Sequence, residues 1–455
     1  MASTTANLVI CGAGMAGVAA AYHLAVRQGI KNLVLVDERP PLTLTSDKGT
    51  QAYRNWWPGP GDTMVRFMNR SIDLLEELAS ECNNSFRLNR RGYVFLTADE
   101  GQIPHMRRTA EEICALGAGP LRIHPGPEEY NPSPPEGFEG LPAGADLLLD
   151  RALIRQQFPF ITDAVIAMLH VRRCGWFNAP RLGAWLLEQA QRSGVRLLRD
   201  RVVGVETAGG RVQTVRLQSG ARIDTGAFVI AAGPYLRQVG ALLELDIPVF
   251  NELHGKMAFE DDLGVVPPSA PLMIWNDPLY LPWSEEERRA LAARAETRRL
   301  LEQFPAGVHF RPRDDGGKPT LLIIWTYDTH IQEPVWPPQF DPHYAEVLLR
   351  GLGSMIPGLA AYFGQGARGY VDGGYYCKTR ENRPLIGPLP VEGAYVIGAL
   401  SGYGVMASQA AAELLAAHVT GASLPDYAPA FLIERYKDPA YQALLDRWDA
   451  LSGQL

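Results

Sequence analysis

Residues 7–17 read NLVICGAGMAG, and this stretch decides the fold that the sequence predicts. A short apolar run enters a turn in which Gly12, Gly14 and Gly17 have the spacing G-x-G-x-x-G. The first glycine permits a tight strand-to-helix turn, the second lets backbone approach a pyrophosphate, and the third permits close packing of helix on strand. Because residues 15–26 are mostly small and apolar, a helix should begin here with its N-terminus toward a phosphate.

A second apolar run, Leu33 to Val36, ends in Asp37. An acidic residue at this distance from the glycines is typical of a group that hydrogen-bonds the ribose of a bound dinucleotide. A glycine turn in an unrelated α/β protein is the alternative, which the acid disfavours. These features do not distinguish one dinucleotide from another.

The length and composition exclude several classes of protein. The 455 residues are enough for two or three domains, and the formal net charge of -7 disfavours a nucleic-acid partner. No apolar run approaches the about eighteen residues of a membrane span, and the first residues lack signal-peptide features, so we expect a cytoplasmic protein. Five scattered cysteines, with no C-x-x-C pair and no histidine cluster nearby, predict reduced thiols and no metal site.

Two further segments bear on the glycine turn. The long connection of residues 38–61 contains Tyr53, Trp56 and Trp57, and this aromatic content predicts that it is ordered. From Gly194 onward, alternating runs separated by turn residues predict an antiparallel meander of strands that ends in residues 228–233. The small residues at the end of the meander should lie beside the glycine turn.

Four features, in this order, resemble the flavin-dependent amine oxidase family that includes D-amino acid oxidase, glycine oxidase and monomeric sarcosine oxidase. They are the glycine turn with Asp37, the meander ending in AAGPY (231–235), TRENRPLIG (379–387) and VIGALSGYGVMASQAAAELL (396–415). The resemblance implies a two-domain α/β fold. A Rossmann-like FAD-binding domain would comprise residues 1–90, 145–238 and 368–455. A substrate-binding domain, built on a mixed, largely antiparallel sheet, would comprise residues 91–144 and 239–367.

The resemblance also implies which residues hold the FAD. The glycine turn would bind the pyrophosphate, a valine at 202 or 203 would meet the adenine through its backbone, and residues 402–404 would approach the isoalloxazine ring at a helix N-terminus. A plain turn is the alternative for the late glycines. The residues predicted to contact FAD are Gly12, Ala13, Gly14, Met15, Ala16, Gly17, Asp37, Glu38, Ser46, Lys48, Gly49, Val202, Val203, Ala232, Gly233, Gly402, Tyr403, Gly404, Val405 and Met406.

In the family, a hydride is transferred from a substrate carbon next to nitrogen to flavin N5. The C–N bond of the substrate then becomes an imine. A cation normally holds the substrate carboxylate, but this chain has Tyr376 where glycine oxidase-like proteins have Arg, and Met406 where sarcosine oxidase-like proteins have Lys. Arg54 is therefore the predicted clamp, with a surface arginine packed on tryptophans as the alternative.

The sequence indicates three candidate catalytic residues, of which Arg54 is the strongest and Tyr376 and Tyr403 are weaker, and Lys256 is a further weak candidate. For the tyrosines and Lys256, a structural role on a strand is the alternative. The aromatic residues next to Arg54 predict an apolar pocket for a bulky or N-substituted group.

Two other features of the family are absent. The lysine that activates oxygen in sarcosine oxidase belongs on the strand 321–327, where this chain has Ile323, Ile324 and Trp325, so oxygen and another electron acceptor both remain open. The cysteine that binds flavin covalently would fall near Gly374, about three positions before Cys377, so non-covalent FAD is predicted.

The predicted activity is oxidation of the C–N bond of an amino acid or N-substituted amine. The electrons would pass through FAD to oxygen or another acceptor. Two alternatives stay open: a 2-hydroxy acid oxidase or dehydrogenase on the same fold, and a flavin subunit that passes electrons to a partner protein. The sequence is compatible with an oligomer.

Overall fold

The computed structural model describes residues 4–126, 130–313 and 317–448. Within these residues the strands are β1 Thr4–Thr5, β2 Leu8–Cys11, β3 Leu33–Asp37, β4 Ala52–Arg54, β5 Tyr93–Thr97, β6 Leu121–His124, β7 Ala145–Leu148, β8 Ala167–Val171, β9 Cys174–Trp176, β10 Arg196–Arg199, β11 Val202–Ala208, β12 Arg211–Leu217, β13 Arg222–Asp224, β14 Phe228–Ile230, β15 Phe250–Glu260, β16 Leu272–Trp275, β17 Leu279–Tyr280, β18 Gln303–Phe304, β19 His309–Arg313, β20 Thr320–Ile324, β21 Tyr370–Lys378, β22 Leu385–Pro388 and β23 Ala394–Gly398.

The α-helices in the same part of the chain are α1 Met15–Tyr22, α2 Thr63–Glu81, α3 Gln102–Ile113, α4 Arg151–Gln157, α5 Ala179–Arg192, α6 Leu236–Gly240, α7 Glu285–Ala292, α8 Tyr344–Met355, α9 Gly404–Thr420 and α10 Pro439–Leu445. Single π turns, His23–Arg27 and Cys114–Ala118, continue α1 and α3. Short 3-10 segments are Leu44–Asp47, Gly233–Tyr235, Ala241–Leu243, Ala295–Leu301, Pro357–Tyr362, Gly366–Arg368, Ser401–Tyr403, Ala428–Phe431 and Ile433–Lys437. Among the described helices, none is both long enough and apolar enough to cross a bilayer.

A six-stranded sheet of order β10-β3-β2-β14-β23-β22 contains the glycine turn. Its strands are parallel except β22, which runs antiparallel to β23 at the edge. The central strands are buried on both faces, as parallel sheets covered by helices require. Helix α1 packs against α5 and α9, and α2 packs against α9. The predicted Rossmann-like part is confirmed.

A nine-stranded sheet of order β21-β15-β20-β19-β16-β5-β8-β7-β6 forms the second layer of the molecule. Only the β16–β5 and β6–β7 pairs are parallel. Helix α8 packs on this sheet and shares a core with Met257, Phe310 and Ile323. The predicted mixed, largely antiparallel sheet is therefore confirmed.

Sheet membership differs from the predicted domain limits at residues 145 and 368. Strands β7 and β8 pair with the nine-stranded sheet, and β21 pairs along its whole length with β15 from Phe250↔Lys378 to Ala258↔Tyr370. These three strands thus belong to the nine-stranded sheet rather than to the six-stranded sheet. The sequence did not indicate this because strand pairing is a long-range property that local patterning does not encode.

The predicted meander also divides between two sheets. Strands β11, β12 and β13 form the expected antiparallel meander, to which β1 adds a parallel edge. The flanking strands β10 and β14 instead lie in the six-stranded sheet, parallel to β3 and β2. The meander of β11, β12 and β13 is therefore an insertion between β10 and β14 of the six-stranded sheet. Because β14 pairs with β2, the turn that follows β14 lies beside the glycine turn that follows β2.

Candidate active site

The glycine turn packs against the turn that follows β14. Gly12 has φ +111°, and a Cβ on it would lie 2.3 Å from the carbonyl oxygen of Ala231. A Cβ on Gly17 would lie 1.8 Å from the carbonyl oxygen of Gly12. A side chain at 12 would push the two turns apart, and one at 17 would displace Gly12, so the predicted contact depends directly on Gly12 and indirectly on Gly17.

Polar side chains hold the turn in a fixed shape. Asp37 accepts hydrogen bonds from the backbone N–H groups of Ala13 at 2.7 Å and Arg39 at 2.8 Å. The hydroxyl of Ser46 accepts a hydrogen bond from the N–H of Met15 at 2.9 Å. These contacts orient the start of α1, whose first turn carries no acidic residue that would neutralise its positive end.

A second helix N-terminus comes from the end of the chain. After β23, Ala399 and Ser401 adopt positive φ values of 52° and 46°, and α9 begins at Gly404. A Cβ on Gly402 would lie 2.2 Å from the ring of Tyr376. The first turn of α9 also lacks acidic residues. The absence of a side chain at 402 thus lets Tyr376 pack against this turn.

A cleft of about 660 Å³ runs between these features. The predicted residues in its wall are Gly12, Ala13, Gly14, Met15, Ala16, Asp37, Glu38, Ser46, Gly49, Val202, Val203, Ala232, Gly233, Gly402, Gly404 and Val405. Sequence reasoning missed other wall residues, including Leu42, Thr45, Gln51, Arg201, Tyr235, Gln238 and Tyr375. The missed residues come from several loops, from strand β21 and from helix α6, which lie far apart in the sequence, so only the folded arrangement brings them together.

Four of the residues predicted to contact FAD lie elsewhere. Gly17 packs behind the turn, against Gly12. The ammonium group of Lys48 pairs with Asp372 of β21 at 2.7 Å. Tyr403 and Met406 line a second, smaller cavity. A direct contact of these four with FAD stays a prediction.

The second cavity measures about 50 Å³ and shares Ala52, Tyr376 and Gly402 with the wall of the large cleft. Its wall is formed by Thr50, Ala52, Arg54, Tyr93, His254, Leu272, His309, Ile324, Thr326, Tyr376, Gly402, Tyr403 and Met406. The structure therefore brings together all three candidate catalytic residues, Arg54, Tyr376 and Tyr403, in one small pocket beside the cleft.

The large cleft fits FAD in size and in charge. Its volume lies within the range of about 300–1,000 Å³ that cofactor sites occupy. Two helices, α1 and α9, place first-turn residues in its wall, and the positive ends of their dipoles favour anionic ligand groups. A profile of the FAD dependent oxidoreductase family matches residues 7–418.

The chain belongs to this family. Its cofactor is FAD, and it is an FAD-dependent oxidoreductase that acts on a small molecule and an electron acceptor. No curated protein sequence matches the chain.

Solved structures with the same fold include three named oxidoreductases. L-proline dehydrogenase from P. horikoshii is 18% identical with a TM-score of 0.72, covering 96% of this chain and 99% of that chain. Glycine oxidase from Geobacillus kaustophilus is 16% identical with a TM-score of 0.71, covering 95% and 99%. Iminodiacetate oxidase from Chelativorans sp. BNC1 is 20% identical with a TM-score of 0.68, covering 93% and 98%. At these identities the likeness establishes the shared fold.

Arg54 is the buried cation of the small pocket in this oxidoreductase. It is 5% exposed, and its guanidinium carbon lies 4.7 Å from the centre of the Trp57 ring. Burial lowers its pKa from the usual value, but a guanidinium stays charged in proteins. The alternative of a surface arginine packed on tryptophans is therefore wrong, because Arg54 is buried. Its guanidinium does stack on Trp57, as that alternative expected.

The aromatic residues near Arg54 do not form an apolar substrate pocket. Trp57 meets Tyr403 edge-on, with ring centres 4.9 Å apart, and the Tyr53 hydroxyl donates to the carbonyl of Asn89 at 2.7 Å. Tyr53, Trp56 and Trp57 belong to the main core and line neither of the two cavities. The prediction that they accommodate a bulky group is wrong because their rings pack within the main core, that of Tyr53 against Phe177 and that of Trp57 against Tyr403.

The two predicted tyrosines differ in their surroundings. The hydroxyl of Tyr403 donates to the carbonyl of Asn382 at 2.6 Å, so its oxygen already has a structural partner. Tyr376 stacks on His254 with ring centres 4.0 Å apart and an angle of 12° between planes. Burial raises the pKa of Tyr376 to about 12, which keeps its hydroxyl protonated.

Histidines of the pocket were missed by sequence reasoning. His309 uses Nδ1 to donate to the carbonyl of Gly307 at 2.9 Å, and burial lowers its pKa to about 4. His254 lies on β15, where Glu252, His254 and Lys256 alternate with other residues and so share one face of the strand. This polar alternation is a signal in the sequence for His254 alone, and it indicates a shared polar face without placing that face in the pocket.

Lys256 lies behind the loop that lines the FAD cleft. It is opposite Ile324 of β20, and its ammonium group donates to the carbonyl of Asp47 at 3.0 Å. Burial lowers its pKa to about 8. Strand β20 itself carries no lysine between Thr320 and Ile324, as the sequence indicated, but the neighbouring strand brings one close to the cleft wall.

Proposed function

We propose that this enzyme oxidises the C–N bond of a small α-amino acid or N-substituted α-amino acid. The observation that carries the proposal is a buried guanidinium, that of Arg54, in a small pocket that opens beside the FAD cleft. An arginine fork binds a carboxylate through two parallel hydrogen bonds and is the preferred residue for this task. Bound FAD supplies the two-electron acceptor for the substrate's hydride.

The residues of the pocket orient the substrate and exclude water. Arg54 fixes the carboxylate, and the cavity's shared wall at Ala52, Tyr376 and Gly402 faces the FAD cleft. The α-carbon of a bound amino acid is then directed toward the cofactor. Holding reactants in this way can account for a large part of the rate enhancement.

The size of the pocket favours a small substrate. Its volume of about 50 Å³ compares with the about 10–15 Å³ that one water occupies on the same measure. A substrate of a few non-hydrogen atoms beyond its carboxylate fits such a space. Structures with the same fold are named for glycine, proline and iminodiacetate oxidation, which agrees with a compact amino acid.

The carboxylate clamp alone does not choose between an amine and a hydroxyl at the α-carbon. A panel of glycine, sarcosine, alanine, proline, glycolate and lactate, mixed anaerobically with the enzyme, tests this directly by bleaching of the flavin absorbance. Bleaching by the amino acids supports the proposal, while bleaching only by the hydroxy acids would replace it with the 2-hydroxy acid activity. If none bleaches the flavin, a subunit that passes electrons to a partner protein is favoured.

The clamp itself is tested at Arg54. We expect Arg54→Ala to raise the dissociation constant of the bleaching amino acid by more than about tenfold, because the carboxylate loses a charge-assisted pair in a buried site. Arg54→Lys should recover only part of the loss, because lysine lacks the fork. Lys318→Ala, at an exposed position, is the control and should behave as wild type. Unchanged binding in Arg54→Ala with full flavin content would rule out this clamp.

The electron acceptor is tested by re-oxidation. Rapid recovery of the flavin absorbance in air indicates an oxidase, and slow recovery that an artificial acceptor accelerates indicates a dehydrogenase. The cytoplasmic location and the oligomeric state stay predictions.

A further inference from the structure

The side chain of His254 is a buried group in the small pocket with a carboxylate partner behind it. Its Nε2 lies 3.2 Å from a carboxylate oxygen of Glu252, and that oxygen lies 2.6 Å from the ammonium nitrogen of Lys378. A carboxylate can only accept, so Nε2 carries the hydrogen and donates to Glu252. In the neutral ring, Nδ1 then carries an electron pair that accepts a hydrogen bond from the Thr326 hydroxyl, and it can accept a proton from a ligand in place of that bond.

The pocket side of the ring presents this Nδ1 atom. It lies 3.4 Å from the hydroxyl of Thr326, which lines the same cavity. Tyr376 stacks flat on the imidazole and fixes the plane of the ring. The arrangement of carboxylate, imidazole and open cavity is the one in which a histidine accepts a proton from a ligand.

We propose that His254 accepts the ammonium proton of the bound amino acid at Nδ1, and that Glu252 is the residue that positions it. This inference rests on the proposed function. An amino acid at neutral pH has a protonated nitrogen, and its C–N bond can be oxidised only after that proton has left. In the step, one substrate N–H bond breaks, its electron pair stays on nitrogen, and the proton forms the N–H bond of an imidazolium. The α-hydrogen then leaves as hydride, with two electrons, to FAD.

The charges around His254 favour this role. Burial lowers its pKa, while hydrogen bonding to Glu252 opposes that change, so the ring is neutral and able to accept at neutral pH. The hydrogen bond from His254 and the charge of Lys378 lower the pKa of Glu252 to about 2, so the carboxylate is charged. An imidazolium formed beside that carboxylate is stabilised by an opposite charge.

The other ionisable groups that face this site come from five further elements. Tyr376 and Lys378 lie on β21, Arg54 on β4, His309 on β19, Tyr93 on β5 and Tyr403 on the 3-10 segment Ser401–Tyr403. A carboxylate held by Arg54 would bring an additional negative charge into the pocket when substrate binds.

His309 is less suited to accept this proton. Its Nδ1 donates to a backbone carbonyl, and the nearby charge of Arg54 lowers its pKa further. A neutral carbonyl stabilises an imidazolium less than a carboxylate does. The pair of His254 and Glu252 is therefore the proton acceptor that the geometry favours.

The pH dependence of anaerobic flavin reduction tests the role. For the amino acid that bleaches wild type fastest, we expect the reduction rate divided by the dissociation constant to have an acid limb below the usual histidine pKa of about 6.5 and a plateau above it. In His254→Asn, the value at neutral pH should fall by about a hundredfold or more, and it should rise with slope one up to the ammonium pKa of the substrate. The free amine then has to bind already deprotonated.

Three further variants keep the test interpretable. Glu252→Gln removes the charge but keeps a hydrogen-bonding group, so the acid limb should move down by about one pH unit. His105→Asn, at an exposed position, should match wild type. His254→Gln provides a second replacement if the asparagine variant does not fold with full FAD content.

A readout that does not depend on turnover is the nitrogen NMR spectrum of holoenzyme labelled at histidine. The signals absent from the His254 variant identify that ring, and they should show hydrogen on Nε2 and none on Nδ1 at neutral pH. Hydrogen on Nδ1 would overturn the proposal. An unaltered pH profile in His254→Asn, in an enzyme that amino acids still reduce, would overturn it while leaving the proposed function intact. Failure of every amino acid to reduce wild type would remove both.

Discussion

At the scale of single residues, Gly402 lies in the wall that the FAD cleft and the small pocket share, and it limits the position of the Tyr376 ring. A methyl group at 402 would meet the Tyr376 ring at 2.2 Å, so the ring must move and its stacking on His254 is lost. We expect Gly402→Ala to weaken amino-acid binding by about tenfold or more, while FAD remains bound.

The matched control for this substitution is Gly226→Ala, because a Cβ there meets nothing within 4 Å. Adding Tyr376→Leu to Gly402→Ala removes the clashing ring and should restore part of the flavin's normal spectrum, which reports on its surroundings. Amino-acid titrations followed by flavin absorbance measure both effects. Wild-type binding in Gly402→Ala would show that the ring does not shape the pocket.

At the scale of elements, the 3-10 segment Leu44–Asp47 links the FAD cleft to the nine-stranded sheet. Thr45 donates to the carbonyl of Tyr375 at 2.9 Å, and the next residue after the segment, Lys48, pairs with Asp372 at 2.7 Å. Thr45 and Ser46 line the FAD cleft. The position of this part of the cleft wall therefore depends on the position of β21, to which the segment is hydrogen-bonded and ion-paired.

The Lys48–Asp372 pair should contribute to FAD retention. Both side chains are partly buried, at 20% and 14% exposure, so the pair is screened less than a surface pair. We expect Lys48→Met and Asp372→Asn each to weaken FAD binding, and their effects to be non-additive by about 0.5 kcal/mol or more. Reconstitution of apoprotein with FAD, followed by fluorescence, measures the four dissociation constants. Fully additive effects would show that the pair does not act as a unit.

Strand β15 illustrates what element-level patterning can and cannot show. Its alternation of Glu252, His254 and Lys256 places them on one face, which the sequence alone indicates. Which face points at the pocket depends on β20 and β21 pairing on either side, and these partners are distant in sequence. The histidine of the pocket was therefore not predictable from its own strand.

At the scale of the whole molecule, buried histidines make stability depend on pH. Burial lowers the pKa of His23 to about 4 and that of His170 to about 3, from a usual value of about 6.5. Between these values the unfolded chain binds more protons than the folded chain, so the free energy of unfolding falls as pH falls. We expect the melting temperature to drop from about pH 7 to about pH 4.5, with little change above about pH 7 from these groups.

His23→Gln tests this dependence. His23 lies within 3.3 Å of the Gln409 side chain, which joins the end of α1 to α9. The variant should lose less melting temperature on acidification than wild type, by about 2 °C or more, because one proton-binding group is gone. His105→Gln, at an exposed position, should follow wild type. An equal acid loss in His23→Gln would contradict the assignment.

The mode of FAD attachment is also a property of the assembled site. Cys11 and Cys377 both line the cleft, and burial raises the pKa of each thiol to about 12. A protonated thiol is a poor nucleophile, so we expect non-covalent FAD. Acid precipitation should leave the flavin in the supernatant, and flavin that stays with the protein would contradict this expectation.

The sequence by itself determined the cofactor and predicted where it binds, because the glycine turn, Asp37 and the SGYG segment are local patterns whose geometry follows from glycine and helix termini. It also predicted Arg54 as the carboxylate clamp, because Arg54 follows the loop expected to contact the flavin and lies among aromatic residues, and that role stays a prediction. The tertiary structure alone decided that β7, β8 and β21 join the nine-stranded sheet, that the tryptophans are core, and that His254 faces Arg54's pocket. Those outcomes depend on contacts between residues far apart in the chain, which local periodicity does not specify.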